Sequence, residues 1–402
     1  MSAPVINKIF AEESGRIGPD ILRRTTHISP WLDLVQTGQW TPEMGDTVKV
    51  LTAGRILPTD SDGLVSEPTW TDITSSGTYG QAGGACLPTV TTLKGGNTLA
   101  EYKLTQTALE SESFCIANLR NGWQVAKQMS ALKKGLADST KFTLVERARS
   151  EFARVATNQL LVTSTGVVEG TTMPSGSGKS PANITDELMR DVYSNLVTIG
   201  AAESPLLLKA DGAPVFSFFT SLEQSRILKV ASGTRDDFRW NPSLVGELTK
   251  IFSAYGSMSA PQSGFQHLVD PTPPRWQYTG GAWVRVWPYV RVAGDNGYIL
   301  QKNDAYRTAA WEDSFVFHPE VIKMLYPNSI ASVGEGTSFQ PVTYRGEWHW
   351  QNILHATDNP DGTIGKFRGI FTMGTEPLFA DFGYRIRHAR CRNQTAFYAA
   401  CS

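Results

Sequence analysis

Cysteine, histidine and net charge are all scarce in this sequence of 402 residues, and each shortage excludes a class of protein. The four cysteines are widely separated, without a CxxC pair or a zinc-site spacing, so we expect free thiols in a reducing compartment. None of the six histidines has HExxH spacing, and no GxSxG motif occurs. The formal net charge of −1 provides no overall attraction to nucleic acid or to an anionic membrane.

Long apolar runs are also missing. No stretch approaches the ~18 apolar residues that span a membrane, and residues 1–13 lack the basic start and apolar run of a secretory signal. We therefore expect a protein that is made and kept in a cytoplasm or released by lysis. The composition, 41% apolar and 19% charged, is globular, and the length predicts two or more lobes.

A helical periodicity extends over Glu112–Leu161. Apolar residues recur there at intervals that are almost all three or four positions, the repeat of one helix face. They are Ile116, Leu119, Trp123, Ala126, Met129, Leu132, Leu136, Phe142, Val145, Ala148, Phe152, Val155 and Leu160. Polar residues, including Arg147, Glu151 and Arg154, fall largely on the other side. Gly135 and the following Asp138-Ser139-Thr140 have the pattern of a helix end and a new N-cap, so one long helix and two shorter ones both fit the sequence.

Residues 41–110, before this helix, have a β pattern. Strand-like runs at Thr47–Leu51 and Thr98–Thr107 are separated by a glycine-rich region, which predicts a long hairpin. Its apolar content is too low for a core of its own, so we expect it to rest on another surface.

Helices and strands alternate irregularly after the helix, as in an α+β lobe. We predict a helix capped by Thr185 or Asp186, a buried strand at Pro214–Thr220, and a hairpin at Arg275–Val292 around Gly280-Gly281. Further strands are predicted at Glu347–Ala356 and Phe367–Arg392.

Short motifs that resemble ligand sites are incomplete. Gly176–Ser180 resembles a phosphate loop, but Met173 stands where a Walker A motif needs glycine, and the surrounding Thr163–Pro181 is predicted to be a loop. Asp60–Gly63 begins like a calcium loop but lacks the later acidic ligands. We therefore predict no catalytic, cofactor-binding or metal-binding residues, no cofactor and no enzymatic activity.

Two side-chain clusters admit more than one interpretation. Aromatic residues concentrate in the predicted hairpin between Trp276 and Tyr289; they fit a core or subunit interface, or a platform that stacks sugars. Arg385 and Arg387 share one strand face by alternation. They fit a solvated or ion-paired face, or a contact with an enclosed polyanion.

The order of these parts resembles the major capsid proteins of tailed bacteriophages, which have the Hong Kong 97-like fold. The similar stretches are Asn118-Leu119-Arg120 at the start of the long helix, Gly369-Ile370-Phe371 with Glu376-Pro377-Leu378, and the closing Gly383-Tyr384-Arg385-Ile386-Arg387. The resemblance implies an α+β chain in five segments. These are an N-terminal arm (1–40), an extended β-hairpin loop (41–110), a peripheral domain with a spine helix (111–182), an axial domain (183–340), and return strands of the peripheral domain (341–402).

The function that this resemblance implies is structural. A major capsid protein self-assembles into pentamers and hexamers that form an icosahedral head around a double-stranded DNA genome. The expected location is the virion, assembled in the host bacterial cytoplasm. The expected partners are further copies of the chain, a portal, a separate scaffolding protein, decoration proteins and, through weak contact, the packaged DNA; no membrane is expected.

Two other functions remain open at this point. One is a nanocompartment shell of the same fold, and the other is a carbohydrate-binding or carbohydrate-active protein that uses the aromatic hairpin 276–289. For the capsid function, Arg385 and Arg387 are candidates to face the genome. The candidate assembly residues are Trp31, Trp40, Lys94, Lys103, Arg120, Lys127, Arg147, Arg154, Trp276 and Trp283.

Overall fold

The computed structural model describes residues 30–40, 47–52, 56–58, 93–95, 98–103, 105–111, 114–115, 122–170, 181–201, 207–208, 214–230, 264–294, 297–327, 347–352 and 364–390. The chain divides into two compact units. The inserted unit is Met44–Lys103, and the main unit comprises Met1–Glu43 and Leu104–Ser402.

Both helices and strands are well represented, which confirms the predicted α+β class. Within the described ranges, the helices are α1 (Pro30–Leu34), α2 (Gly122–Val155), α3 (Asp186–Thr198), α4 (Leu222–Val230) and α5 (Asp304–Thr308). The strands are β1 (Gln36–Trp40), β2 (Thr47–Thr52), β3 (Ile56–Pro58), β4 (Leu93–Gly95), β5 (Thr98–Lys103), β6 (Thr105–Glu110), β7 (Phe114–Cys115), β8 (Asn158–Thr163), β9 (Gly166–Glu169), β10 (Leu207–Leu208), β11 (Pro214–Thr220), β12 (Phe265–Val269), β13 (Arg275–Thr279), β14 (Ala282–Val286), β15 (Tyr289–Gly294), β16 (Gly297–Lys302), β17 (Trp311–Phe317), β18 (Ile322–Pro327), β19 (Glu347–Asn352), β20 (Ile364–Pro377) and β21 (Tyr384–Ala389).

The inserted unit contains two short antiparallel pairs. β2 pairs with β5, with Thr47 opposite Lys103 and Thr52 opposite Thr98. Further along, β3 pairs with β4, with Ile56 opposite Gly95. The predicted run Thr47–Leu51 therefore pairs with the first part of the predicted run Thr98–Thr107, whereas the last part of that run, Thr105–Thr107, belongs to β6 and pairs with β20 of the main unit.

A six-stranded sheet of the main unit is built around the long strand β20. β20 pairs with β7 and β6 along one edge and with β19 along the other, and its C-terminal part pairs with β18; all four pairs are antiparallel. The N-terminal strand β1 adds in parallel to β18. One strand of 14 residues thus joins segments from the beginning, middle and end of the chain.

A nine-stranded sheet forms the other layer of strands in the main unit, in the order β10-β11-β17-β21-β8-β9, with β12, β13 and β14 branching from it. Its central strands are buried on both faces, which explains the continuous apolar run predicted as a strand at Pro214–Thr220. The tail of the chain divides between the sheets, because β19 and β20 join the first sheet and β21 joins the second.

Helix α2 runs without a break through the predicted joint. The hydroxyl of Thr140 donates to the carbonyl of Leu136 (2.8 Å) and that of Thr143 to the carbonyl of Ser139 (2.9 Å), so these side chains bond within the helix instead of capping a new one. With 34 residues, the helix is about 50 Å long. It is shorter than the predicted Glu112–Leu161, because Phe114 and Cys115 form β7 and Leu160 and Leu161 lie in β8; the predicted helix residues Ile116 and Leu119 lie outside the described residues.

The core lies where α2 packs on the nine-stranded sheet. Leu144, Ala148 and Phe152 of the helix are buried there. Trp31 of α1 joins this cluster: its ring stacks on Phe219 with centroids 4.2 Å apart, and its indole nitrogen donates to Asp270 (3.2 Å). The predicted N-terminal arm therefore contributes a buried side chain to this core.

Replacing Trp31 by alanine is expected to destabilise the main unit. The substitution leaves a cavity and removes the hydrogen bond to Asp270, so the free energy of unfolding should fall by about 3–5 kcal/mol. Urea denaturation measures this change. Trp287→Ala is the matched control, because that indole is exposed. Its removal should lower the free energy of unfolding by only about 1 kcal/mol. Equal losses in the two variants would contradict the assignment of Trp31 to the core.

Candidate functional site

Buried charges of the main unit form internal ion pairs. Arg149 of α2 is 1% exposed, donates to Asp270 (2.8 Å) and to the carbonyl of Thr272 (2.9 Å), and also pairs with Glu146. Within the described ranges, no cluster of His, Cys, Asp and Glu side chains has an arrangement that could hold a metal ion. The same residues include no helix long and apolar enough to cross a membrane.

A serine and a histidine meet inside the nine-stranded sheet. His388 Nε2 lies 2.7 Å from Ser314 Oγ, and Thr220 Oγ1 lies 2.8 Å from the same hydroxyl. His388 Nδ1 lies 2.9 Å from the carbonyl of Ala389, which can only accept. Nδ1 therefore carries the proton and Nε2 accepts from Ser314. Because Ser314 and His388 are 0% exposed, this chain of hydrogen bonds stabilises the sheet and offers no route to a substrate.

The stability of this sheet is expected to depend on pH. Burial lowers the pKa of His388 below its ordinary value, outweighing the carboxylates of Glu312 and Asp313, which raise the pKa. In the unfolded chain the imidazole regains a pKa of about 6.5. As pH falls below about 6.5, the unfolded state binds a proton that the folded state does not, so the free energy of unfolding decreases.

Urea denaturation at pH 7.5, 6.5 and 5.5 tests this pH dependence. The wild-type protein should lose more stability between pH 7.5 and 5.5 than His388→Gln, which has no titrating ring at this position. Identical losses in both proteins would show that His388 does not contribute to the pH dependence.

The arginines predicted to face a genome lie in an internal network. Arg385 donates two hydrogen bonds to Asp313 (2.6 and 3.1 Å), and Arg387 lies 3.4 Å from the same carboxylate. Burial lowers the pKa of Arg387, and Asp313 opposes this effect. Asp313 is fully buried, so the two charges are partly neutralised within the chain, as the ion-paired alternative expects; a contact of this pair with a genome stays a prediction.

The aromatic hairpin is also engaged within its own chain. Trp276 donates to Asp313 (3.1 Å) and lies under the guanidinium groups of Arg385 and Arg387. Trp283 packs edge-on against the buried Trp311, with centroids 6.0 Å apart. These contacts account for both indoles without a sugar.

The remaining predicted assembly residues divide by position. On α2, Lys127 and Arg154 are exposed, and Arg147 pairs with Glu151 (3.0 Å). Glu151 is buried between Arg147 and Arg154 rather than on the outer face as predicted. Arg120 lies outside the described residues, as do the side chains of Trp40, Lys94 and Lys103, although the structure places these last three on β1, β4 and β5.

A groove of about 340 Å³ brings α2 together with β6, β20 and the end of β14. Arg147 bridges from the helix to Thr105 of β6 (3.1 Å). On the opposite side Arg285 pairs with Glu146 and lies 4.1 Å from the centroid of the Trp287 ring. Phe371 and Met373 contribute apolar surface. The groove is therefore an open surface beside α2 that combines charged and apolar side chains.

Among the described residues, the two large apolar side chains with the highest exposed fractions lie on a separate hairpin formed by β15 and β16. Leu300 is 72% exposed and Tyr289 57% exposed, and Val290 and Val292 are exposed beside them. The sequence prediction stopped at Val292 and missed the second strand. The alternating run on both sides of Asp295-Asn296-Gly297 is a hairpin signal that could have identified it.

Comparisons with known proteins give structural similarity alone. No family model matches the chain, and no curated protein matches it. The structure is similar to the capsid of Ralstonia phage GP4 (10% identity, 90% of this chain and 89% of that chain, TM-score 0.43). It is also similar to the capsid of Cyanophage P-SCSP1u (9%, 88% and 86%, TM-score 0.41) and to the mature capsid of bacteriophage PhiM1 (9%, 89% and 86%, TM-score 0.41).

These three structures are phage capsids, the class of protein that the sequence resembles. Each TM-score is below 0.5 and each identity is at most 10%, so these similarities carry no conclusion about the function of this chain.

Proposed function

We propose that this chain is a structural shell subunit, the major capsid protein of a tailed bacteriophage. Copies of it assemble into pentamers and hexamers, which form an icosahedral head around double-stranded DNA. Assembly takes place in the host bacterial cytoplasm and the protein ends in the virion. The other proposed partners are a portal, a separate scaffolding protein and decoration proteins.

The observation that carries the proposal is the inserted unit Met44–Lys103. It forms a compact unit of its own, and its described strands occur as two-stranded pairs. A lone two-stranded hairpin is at best marginally stable in water, because ordering its backbone outweighs what it buries. The low apolar content of the segment also indicates that it cannot form a stable core of its own. A neighbouring copy supplies the missing surface, and the ordering entropy is then offset by intersubunit burial.

The main unit supplies a rigid platform for such contacts. Helix α2 is fixed along the nine-stranded sheet by Phe152 and the buried Arg149, and the side chains of Lys127 and Arg154 are exposed on it. A subunit that repeats one heterologous contact around closed rings needs a surface of this kind, because the angle between neighbours determines whether the rings close.

Sedimentation velocity and negative-stain microscopy of the purified full-length chain test this proposal. Hollow particles, or rings of five and six subunits, are expected. A protein that stays monomeric at every concentration and salt condition, also when mixed with a scaffolding protein encoded beside it, would overturn the proposed function.

A further inference from the structure

The exposed hairpin Tyr289–Lys302 has the properties of a contact surface. Its strands β15 and β16 pair with each other across the full length of both, from Tyr289 opposite Lys302 to Gly294 opposite Gly297. Each of its side chains that the structure describes is exposed, including Leu300 and Val290. Exposed apolar side chains that are adjacent, rather than scattered singly, mark interaction sites.

The base of this hairpin is held firmly by the main unit. The Asn303 side chain donates to the carbonyl of Trp287 (2.9 Å) and its backbone N–H donates to that of Pro288 (3.0 Å). The same side chain accepts from Ala305 and so caps α5. In α5, Tyr306 is buried and donates to the carbonyl of Pro273 (2.8 Å). The apolar strands are therefore presented in a fixed position, which lowers the entropy lost on binding.

A second exposed apolar surface lies at an edge of the nine-stranded sheet. Strand β9 ends the order of that sheet, and within the described residues it pairs only with β8. All four of its residues are exposed, among them Val167 and Val168. An edge strand presents unpaired N–H and C=O groups, which can bind another extended segment.

The two surfaces have complementary charges. The strands of the exposed hairpin carry Arg291 and Lys302 and no acidic residue, and with Asp295 in the turn the hairpin is still net positive. Strand β9 carries Glu169 and no cation. Each surface combines valines with a net charge opposite to that of the other, and among the described residues each has a strand edge that pairs with no further strand.

We propose that the exposed hairpin of one copy adds alongside strand β9 of a second copy. Backbone hydrogen bonds extend the sheet, the valines of both segments become buried, and Lys302 pairs with Glu169. Both surfaces are exposed in the same chain, so the contact joins two copies head to tail. The inference rests on the proposed shell function, which requires heterologous contacts of this kind.

The small size of the contact fits an assembly in which every copy makes the same contact. A four-residue strand against one hairpin buries less than the ~800 Å² per partner of a standard interface. A single contact is therefore weak and does not hold a stable dimer. In a closed assembly each copy makes the contact twice, once through its hairpin and once through β9, alongside contacts of the inserted unit.

Charge reversal in the full-length chain tests the pairing. The variants are Lys302→Glu, Glu169→Lys, the double variant with both changes, and a control double variant that combines Lys302→Glu with Glu187→Lys. Glu187 is an exposed acid on α3. The readout is the concentration dependence of sedimentation at low salt, which registers self-association whether or not closed shells form.

Each single reversal is expected to weaken self-association roughly tenfold, because it places like charges together, and the loss should shrink at high salt. The double variant should return to within about twofold of wild type, whereas the control double variant should remain as weak as Lys302→Glu alone. Single variants that associate like wild type, or a double variant no stronger than the singles, would overturn the hairpin–β9 contact. Neither result would affect the proposed shell function, which fails only if the wild-type protein forms no shells.

Discussion

Removing residues 55–95 is expected to abolish shell closure while the main unit remains folded. The deletion joins Ala53-Gly54 to Gly96-Asn97, so four residues connect Thr52 to its partner Thr98. Four-residue connections rich in glycine and asparagine are common in hairpins, so β2 and β5 can still pair. What is lost is the part of the inserted unit proposed to lie on a neighbouring copy.

Sedimentation and negative-stain microscopy of the deletion variant beside the full-length chain provide the measurement. The variant should sediment as monomers or small oligomers, with no closed particles, and should keep the urea midpoint of the main unit. Closed shells of normal size would refute the role of the inserted unit. A variant with no cooperative unfolding would instead place residues 55–95 in the folding of the main unit.

Arg149→Met is expected to destabilise the main unit about as strongly as the loss of the Trp31 side chain. Its guanidinium is 1% exposed and donates to the buried carboxylate of Asp270, so the substitution leaves a buried charge without its partner. Breaking a buried pair in this way lowers the free energy of unfolding by about 3–5 kcal/mol. The same carboxylate accepts from Trp31, so the loss extends into the core.

Arg154→Met is the matched control on the same helix. Arg154 also pairs with a glutamate, at 2.7 Å from Glu151, but its side chain is 63% exposed, and water screens the interaction. The control should lose no more than about 1 kcal/mol. Urea denaturation measures the free energy of unfolding of both variants. Similar losses for Arg149→Met and Arg154→Met would contradict the conclusion that the buried ion pair of Arg149 with Asp270 stabilises the main unit.

Local patterns predicted much of the fold. The strand Pro214–Thr220 has the bounds predicted for it, Thr185 caps α3 through its side chain, and Gly280 and Gly281 form the predicted turn with positive φ angles of 63° and 84°. In each case the signal lies in neighbouring residues, because a cap, a turn and a buried run depend on local conformation.

Features that depend on distant residues could not be predicted in this way. Trp31 is buried because its ring meets Phe219 and Asp270, which lie far along the chain. Arg385 and Arg387 are neutralised by Asp313 on a different strand. Sequence periodicity identifies the face of a strand on which a side chain lies, but not the residue opposite it on the neighbouring strand. The ion pairs of these arginines could therefore be identified only from the sheet register.

The sequence predicted only part of the candidate contact surfaces. The aromatic hairpin was identified, but its indoles Trp276 and Trp283 proved to be engaged within the chain. The second strand of the more exposed hairpin that begins two residues after Trp287 was missed. Arg147 and Arg154 both pair with Glu151. The helical repeat predicted Glu151 on the polar face of α2, and its burial results from the packing of the helix, which the repeat does not show.

Cryo-electron microscopy of particles formed by the full-length chain tests the central claim most directly, because it shows which copy each inserted unit contacts. The chain can be followed from Trp40 into Met44–Lys103 and back to β6. The expected result is a closed shell in which every inserted unit lies on the main unit of an adjacent copy. A shell in which the inserted units touch only their own main units, or a preparation without any shells, would contradict it.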